Sequence, residues 1–468
     1  MRAIKALHFT SFVALLALLL LVTGCGGTSA PPATATLAPT ETATALPPTP
    51  APTATPKPED LGEGSIELIR RGWTSIADLH ISDPNARSLL LAAWQAVGVE
   101  ARRQGVTPGT LPALTDDRVQ AWDAFSAAYI GLLHATPPAG WDALRFAALD
   151  GMTKSLNDCH TFFLPPQTAA VLTDVRTGRG SGGIGVELAA VKPTYVREAI
   201  ADGPAQKAGV LAGDYLLSVD GQDVTGMGVE AVTEMLRGNP GSSVAIQVRR
   251  PSTGAVLSFP LTRALVQTPP ASGQVLDGGI GVIRMRSFTT NGTLLKALDQ
   301  VVAGFEAQGV TAWVLDLRDN PGGDSDLDLD GRFIGDQVAE RLTLRDGGLE
   351  VNNGNGQPYP EHPVAVLVNS GTASVGEIFS SMLQDYGRGR VFGTQTSKCA
   401  GFVDLMSYPD GSTLAVTIAH ALTPKTEKPL WQTGVIPDQT VRQTQDDLAA
   451  NRDPVLDAAV AWLKTQAR

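Results

Sequence analysis

The chain has 468 residues, 43% of them hydrophobic and 18% charged, with a formal net charge of −11. This is enough apolar residue for more than one buried core, and the acidic balance argues against a nucleic-acid binder, which carries a basic face. The single long apolar run, at the very start, excludes a channel or transporter built from several spans.

That run is Ser11 to Val22, preceded by Arg2 and Lys5. A charged start followed by a short apolar stretch is the pattern of a signal peptide, predicted here over 1–24. It ends in Leu21-Val22-Thr23-Gly24-Cys25-Gly26, which resembles the lipobox of bacterial lipoproteins. The resemblance implies lipidation of Cys25 and an extracytoplasmic protein held at the bacterial cell membrane. Residues 25–60 are rich in Thr, Pro and Ala and show no apolar periodicity, so they read as a linker. Extended, such a tether reaches on the order of 100 Å.

From 61 to 177 the pattern is helical. Leu90, Trp94 and Val97 share one face, as do Val119, Trp122, Tyr129 and Leu133, and Trp141–Leu156 reads as a further helix. The stretch ends in Asn157-Asp158-Cys159-His160-Thr161.

From 178 to 268 short strands are broken by glycines. The phrases run Gly182-Gly183-Ile184-Gly185-Val186, then Gly203 to Val210, Gly213 to Gly221, a helix Val229–Arg237 and a strand Val244–Arg249. This order resembles a PDZ domain of the bacterial protease type. A PDZ domain adds a peptide strand to its sheet edge and holds a chain-terminal carboxylate on backbone N–H groups. The resemblance places that loop at Gly183, Ile184, Gly185 and Val186.

From 269 to 468 strands and helices alternate, as in an α/β layered core. Gly279–Arg284, Ala312–Leu317 and Pro363–Asn369 are predicted strands; Thr293–Gln308, Val375–Tyr386 and the closing Asp453–Lys464 are predicted helices. Two phrases carry chemistry. A buried strand runs into Arg318-Asp319-Asn320-Pro321-Gly322-Gly323, and another runs through Asn369-Ser370-Gly371-Thr372-Ala373 to Ser374 at the start of a helix. A hydroxyl there faces free N–H groups and the positive end of the helix dipole, which favour a developing oxyanion. The bland use of such a Ser is an N-cap. An α/β-hydrolase elbow needs Gly two residues before the Ser, where Thr372 stands.

These phrases, with Leu383 to Arg388 and Gly434-Val435-Ile436-Pro437-Asp438, resemble the S41 serine peptidases, the carboxyl-terminal (tail-specific) processing proteases. The likeness covers roughly Ala147 to Leu463. It implies a crotonase- or ClpP-like α/β core with an inserted PDZ domain and an N-terminal helical segment. It implies Ser374 as nucleophile, an oxyanion hole from the amides of Val375 and of Gly322 or Gly323, and protein or peptide substrates taken by their C-terminal tails. It implies no cofactor. The family's lysine-type members activate the Ser with a Lys some 25 residues on and carry a Gln four residues beyond it. Here ungapped alignment puts Cys399 in the lysine's place, with Lys398 beside it and no Gln at Phe402 or Val403. Lys398 enters if the loop is one residue shorter. Other S41 members, resembling the tricorn core protease, use a Ser–His pair, and their phrase is similar to Asp158-Cys159-His160-Thr161. His160 is therefore the second candidate base, with Glu427 as an acidic partner. Without either base the chain is an inactive, PDZ-containing peptide-binding lipoprotein.

Cys159 and Cys399 form a disulfide or remain two buried thiols. A bridge brings both candidate bases to one region. The run Asp324 to Gly331 imitates a Ca²⁺ loop, but Gln337 stands where the bidentate Glu belongs, so an acidic helix start is expected there and no metal.

Overall fold

A computed structural model describes residues 58–466, apart from 177–180, 190–191, 267, 290–291, 445–446, 448–449 and 451. The expected signal peptide, Cys25 and most of the linker lie outside these residues.

The chain enters as helices α1 (Pro58–Leu79), α2 (Ala86–Arg103), α3 (Arg118–Ala135) and α4 (Trp141–Ser155). Helix α1 begins inside the stretch expected to be linker. Asn85 and Asp117 cap α2 and α3, accepting the N–H groups of Ser88 (3.0 Å) and Gln120 (2.9 Å). The faces around Leu90, Val97, Phe125 and Tyr129 are buried, and Trp73 stacks on Trp122 with centroids 5.4 Å apart. Val119 departs from expectation. It is 70% exposed, because the buried stripe of α3 runs through Ala121, Phe125, Tyr129 and Leu132, off to one side of it. Helices α2 and α4 meet at Gly151, where a Cβ would lie 2.5 Å from Ala96 Cβ and 2.8 Å from the Ala92 carbonyl oxygen.

Strand β1 (Phe162–Leu164) and helix α5 (Pro166–Arg176) follow. The PDZ-like part contains β2 (Ser181–Gly183), β3 (Val186–Leu188), β4 (Val196–Ala199), α6 (Pro204–Ala208), β5 (Tyr215–Val219), β6 (Gln222–Asp223), α7 (Val229–Leu236), β7 (Ser243–Arg249), β8 (Val256–Thr262) and β9 (Ala264–Val266). It has its own core of Ile184, Val196, Leu216, Val232, Leu236 and Ile246.

The remainder contains β10 (Ala271–Leu276), β11 (Ile280–Met285), α8 (Thr293–Ala307), β12 (Ala312–Asp316), α9 (Leu327–Ile334), β13 (Val338–Leu344), β14 (Leu349–Asn353), β15 (Val364–Val368), α10 (Val375–Asp385), β16 (Arg390–Gly393), β17 (Gly401–Ser407), β18 (Thr413–Leu422), α11 (Leu430–Thr433), β19 (Gln439–Thr440) and a terminal helix, Pro454–Gln466. Six strands form one sheet in the order β10-β11-β12-β15-β16-β19, parallel except for β10. Its central strands β12 and β15 are apolar, save Asp316 at the end of β12, because both faces are covered. Trp313, Leu315, Val364, Val366 and Val368 pack on α8 and α10, while Ala312, Val314, Ala365 and Leu367 face Val455, Ala459 and Leu463 of the terminal helix. This two-residue alternation is that of any strand.

A second sheet runs β1-β18-β13-β14, with β17 on β18. Its Leu414 and Val416, with Tyr408 just after β17, share one core with the N-terminal helices, and β1 pairs with β18. The helical segment is thus packed onto the α/β core and contributes a strand to it. The loops after β12 and β15, at the carboxyl ends of parallel strands, carry the Gly- and Ser-rich phrases, where open α/β sheets place function.

Substituting Gly151→Leu should push α2 and α4 apart and cost roughly 1–3 kcal/mol. Urea unfolding checks this; an unchanged midpoint would mean that the contact carries no constraint.

Candidate active site

The two loops are joined by side chains that mimic backbone. Asn369 Nδ2 donates to Asp319 Oδ1 (2.9 Å), and Asn369 Oδ1 accepts from the Asp319 N–H (2.8 Å). Thr372 Oγ1 donates to the Leu317 carbonyl (2.8 Å), and the Ala373 N–H donates to the Asn320 carbonyl (2.9 Å). Asn320 is fully buried; its Nδ2 donates to the Met285 carbonyl (2.9 Å) and its Oδ1 accepts the Gly322 N–H (2.8 Å).

This frame holds Ser374 at φ 53° and ψ −126°. A non-glycine residue held there costs on the order of 1–3 kcal/mol. Ser374 occupies the N-cap position of α10, yet its side chain makes no capping bond, and its backbone is not the extended form of an ordinary cap. The Ser374 N–H donates to the Cys399 carbonyl (2.8 Å), and no hydrogen bond engages Oγ among the described residues. Gly322, at φ 88°, lies against it. A Cβ there would come within 2.6 Å of Ser374 Cβ and 2.8 Å of the Val375 nitrogen, so no larger residue fits.

Among the described residues the N–H groups of Val375 and Gly323 have no acceptor. The Gly322 N–H is spent on Asn320, so of the two glycines expected to donate, Gly323 remains and Gly322 does not.

The next turn holds Glu377, fully buried. Its carboxylate accepts from Thr396 Oγ1, Ser397 Oγ (2.9 Å) and the N–H groups of Lys398 (2.9 Å) and Cys399 (2.8 Å). One carboxylate thereby pins the whole loop that faces Ser374.

On that loop Cys399 is joined to Cys159, with Cα atoms 6.0 Å apart. The imidazole of His160 lies against the bridge, Nδ1 at 3.5 Å from Cys159 Sγ and 3.4 Å from Cys399 Sγ. Burial pushes this imidazole below its ordinary value of 6.5, and the Asp158 charge only partly opposes that. Burial would push the Asp158 carboxyl up, but hydrogen bonds from His80, Thr417, Thr161 and the His160 N–H outweigh it and hold it well below the usual range. Cys159, His160 and Cys399 place two sulfurs and an imidazole within 4.8 Å of one another, a set that suits zinc when the sulfurs are thiolates. Joined to each other, they offer no thiolate.

Lys398 is exposed, at φ 65°, with its stem beside Gly434, and no described acceptor engages its Nζ. Glu427, the expected acidic partner, is exposed and pairs with Arg341 (3.4 Å) on the surface. In the acidic run, Asp326 caps α9 by accepting from Asp328 and Leu329 (both 3.1 Å), and Asp328 accepts from Asn355 (2.6 Å).

Known proteins are similar to this chain. The profile described as peptidase family S41 matches residues 279–441, and that of a PDZ domain matches 195–250. The carboxyl-terminal-processing protease of a Picosynechococcus strain is 30% identical over 358 residues, 71% of this chain and 84% of that protein. Its namesake from Synechocystis is 29% identical over 307 residues, 64% of this chain and 71% of that protein. The chain belongs to peptidase family S41. Among solved structures, the photosystem II D1 C-terminal processing protease is similar to this S41 peptidase with a TM-score of 0.52 and 25% identity, over 81% of this chain and 93% of that one.

In this S41 peptidase the PDZ domain has an open edge. Strand β3 pairs only with β4 among the described residues. Beside it, Gly183, Ile184, Gly185 and Val186 line a groove of about 220 Å³ that continues along Val229 and Thr233 of α7. The N–H groups of Ile184 and Gly185 have no acceptor among the described residues, while the Ile184 side chain is buried in the domain's core. The PDZ strands are also tied to the core by charge. Glu187 meets Arg284 (3.3 Å) and Arg286 (2.7 Å), Glu198 meets Arg286 (2.7 Å), and Arg197 meets Asp316 (3.5 Å) and Asp319.

Sequence reasoning missed Asn320, Asn369 and Glu377. The signal for Glu377 was a charged residue, three places after Ser374, in a stretch, 375–383, otherwise apolar or small. Glu377→Ala removes the acceptor of four donors and should destabilise by at least about 3 kcal/mol. Glu377→Gln, which keeps one oxygen, should cost less; equal unfolding midpoints for the two variants would contradict the pinning role.

Proposed function

We propose that this S41 peptidase is a serine endopeptidase that cleaves proteins or peptides near their C-termini through an acyl-enzyme on Ser374. The observation that carries the reading is the conformation of Ser374, turned out of the capping geometry, with a hydroxyl that no described residue engages, next to the unspent N–H of Val375 and packed on Gly322, whose neighbour Gly323 also keeps its N–H unspent among the described residues. In the reaction Oγ attacks the scissile carbonyl carbon as its proton passes to the imidazole of His160. The carbonyl oxygen becomes an oxyanion held by the two amides. The C–N bond then breaks, the imidazole returns the proton to the leaving amine, and water hydrolyses the ester by the same exchange.

His160 is favoured over Lys398 as the base. A lysine acts as a base near neutral pH only when burial lowers its pKa, and Lys398 is exposed. The imidazole is held below 6.5 and is therefore neutral, with a lone pair, at neutral pH. The PDZ groove takes the substrate tail as an added strand, its carboxylate on the Ile184 and Gly185 N–H groups. The lipid on Cys25 and the Thr/Pro-rich tether would hold this body outside the cytoplasm, at the bacterial membrane.

Peptide hydrolysis by purified protein tests the chemistry. Ser374→Ala should lose at least about 10³-fold in kcat, His160→Ala at least about 10²-fold, and Lys398→Ala little. Because burial moves the folded imidazole's proton loss below pH 6.5, kcat/KM should fall to half its plateau only below that pH. A rate that survives Ser374→Ala would overturn the acyl-enzyme; a rate that falls with Lys398→Ala and not with His160→Ala would move the base.

Capture of the tail is tested separately. A peptide with a free C-terminal carboxylate should bind the protein, and its amidated form should bind at least about tenfold more weakly, as loss of a charge-assisted contact requires. Equal affinity by fluorescence anisotropy would remove the carboxylate from the account.

A further inference from the structure

In a Ser–His pair the imidazole needs a partner on its second nitrogen, to fix the tautomer and the ring orientation. A carboxylate is the usual partner. Here Asp158, the nearest acid in sequence, spends its oxygens elsewhere. Oδ2 accepts from His80 Nε2 (3.1 Å), Thr161 Oγ1 (2.7 Å) and Thr417 Oγ1, and Oδ1 accepts from the His160 backbone N–H (3.2 Å). No described carboxylate accepts from the His160 ring. Nδ1 stands 3.5 Å from Cys159 Sγ, while Cys399 Sγ lies 3.4 Å from Nδ1 and 3.7 Å from Nε2, beside both nitrogens and off the line of either N–H.

The bridge also touches the nucleophile's side of the site. The Cys399 carbonyl accepts the Ser374 N–H, and the Cys399 N–H is held by Glu377. Cys159 directly precedes His160, and 240 residues separate the two cysteines. The disulfide is thus the covalent link between the loop of the candidate base and the loop that fixes the Ser374 backbone.

We propose that Cys159 and Cys399 are positioning residues for the peptidase reaction. Cys159 Sγ of the disulfide receives Nδ1–H of His160 and leaves the Nε2 lone pair for the Ser374 proton, so that the redox state of the bridge sets the rate. The proposal rests on His160 being the base. A dithiol reductant opens the switch. It gives two electrons and two protons, the S–S bond becomes two S–H groups, and the reductant leaves as its own disulfide. A disulfide oxidant reverses the step.

The titratable groups around the imidazole are Asp158 on its own loop, His80 after α1 and His420 on β18. None changes covalently on reduction. Opening the bridge admits water and places ionisable thiols beside the ring, and both changes favour the imidazolium.

The test uses the purified full chain in three states: oxidised, reduced with dithiothreitol, and reoxidised with oxidised glutathione. Peptide hydrolysis is measured across pH, beside a Cys159→Ala/Cys399→Ala double variant. Reduction should lower kcat at least about tenfold with KM little changed, as for a base held in the wrong tautomer. It should also move the acid limb of kcat/KM to higher pH, and reoxidation should restore both. The double variant should show the low kcat and the moved limb, and ignore the reductant. A bridge that serves only the fold would lower the unfolding midpoint and leave the acid limb in place. Full kcat with an unmoved limb in the reduced, folded enzyme overturns the proposal, and so does unfolding of both bridge-free forms by circular dichroism. His160→Ala separates the two levels of the argument. If that variant is active, the assignment of the base fails; if it is inactive while reduction is harmless, only the role of the disulfide fails.

Discussion

Ser374 keeps a left-handed backbone because its peptide is held on both sides. Its N–H is fixed by the Cys399 carbonyl, and its own carbonyl accepts the N–H groups of Glu377 (2.8 Å) and Ile378 (3.1 Å) as α10 begins. The strain, on the order of 1–3 kcal/mol, is met by hydrogen bonds worth about 1 kcal/mol each, so several must act together. They do so through one buried carboxylate. Glu377 fixes the loop 396–399, and that loop in turn fixes the Ser374 N–H at the head of α10.

The rest of the architecture serves this turn. Strands β12 and β15, apolar on both faces, end side by side and set the two loops at bonding distance. Asp316 closes the first strand. Burial would push its carboxyl up, but Arg318, Arg284 and Arg197 outweigh that and hold it well below the usual range. Arg318 continues to Asp453 (2.8 Å) at the head of the terminal helix, while Arg197 reaches in from the PDZ strand β4. Through Arg318 and Arg197 this carboxylate links the sheet, the last helix and the PDZ domain, five residues before Pro321 and the glycines that follow it.

Much of this was legible in the sequence for simple reasons. The central strands read as strands because both faces are buried, and α8 and α10 read as helices from their apolar stripe. The helix expected at Thr293–Gln308 runs Thr293–Ala307, and that at Val375–Tyr386 runs Val375–Asp385. Ser374 stood out because a small-residue run between strand and helix leaves amides unspent. Three things were not legible. Which glycine amide is free depends on the rotamer of Asn320, which takes the Gly322 N–H. The contrast between Lys398 and His160 depends on a contact across 240 residues and on which way a pinned loop presents its side chains. The pairing of β1 with β18 makes the helical segment part of the core sheet, and no local pattern over three residues announces such a partner.

The account stands or falls on the reactivity of one hydroxyl. Fluorophosphonate labelling of the purified protein, followed by peptide mass mapping, reads that reactivity without any knowledge of the natural substrate. The account predicts a single phosphonyl adduct on Ser374, formed fast in the wild type and slowly in His160→Ala. A folded protein that takes no adduct, or takes it on another serine, would contradict it.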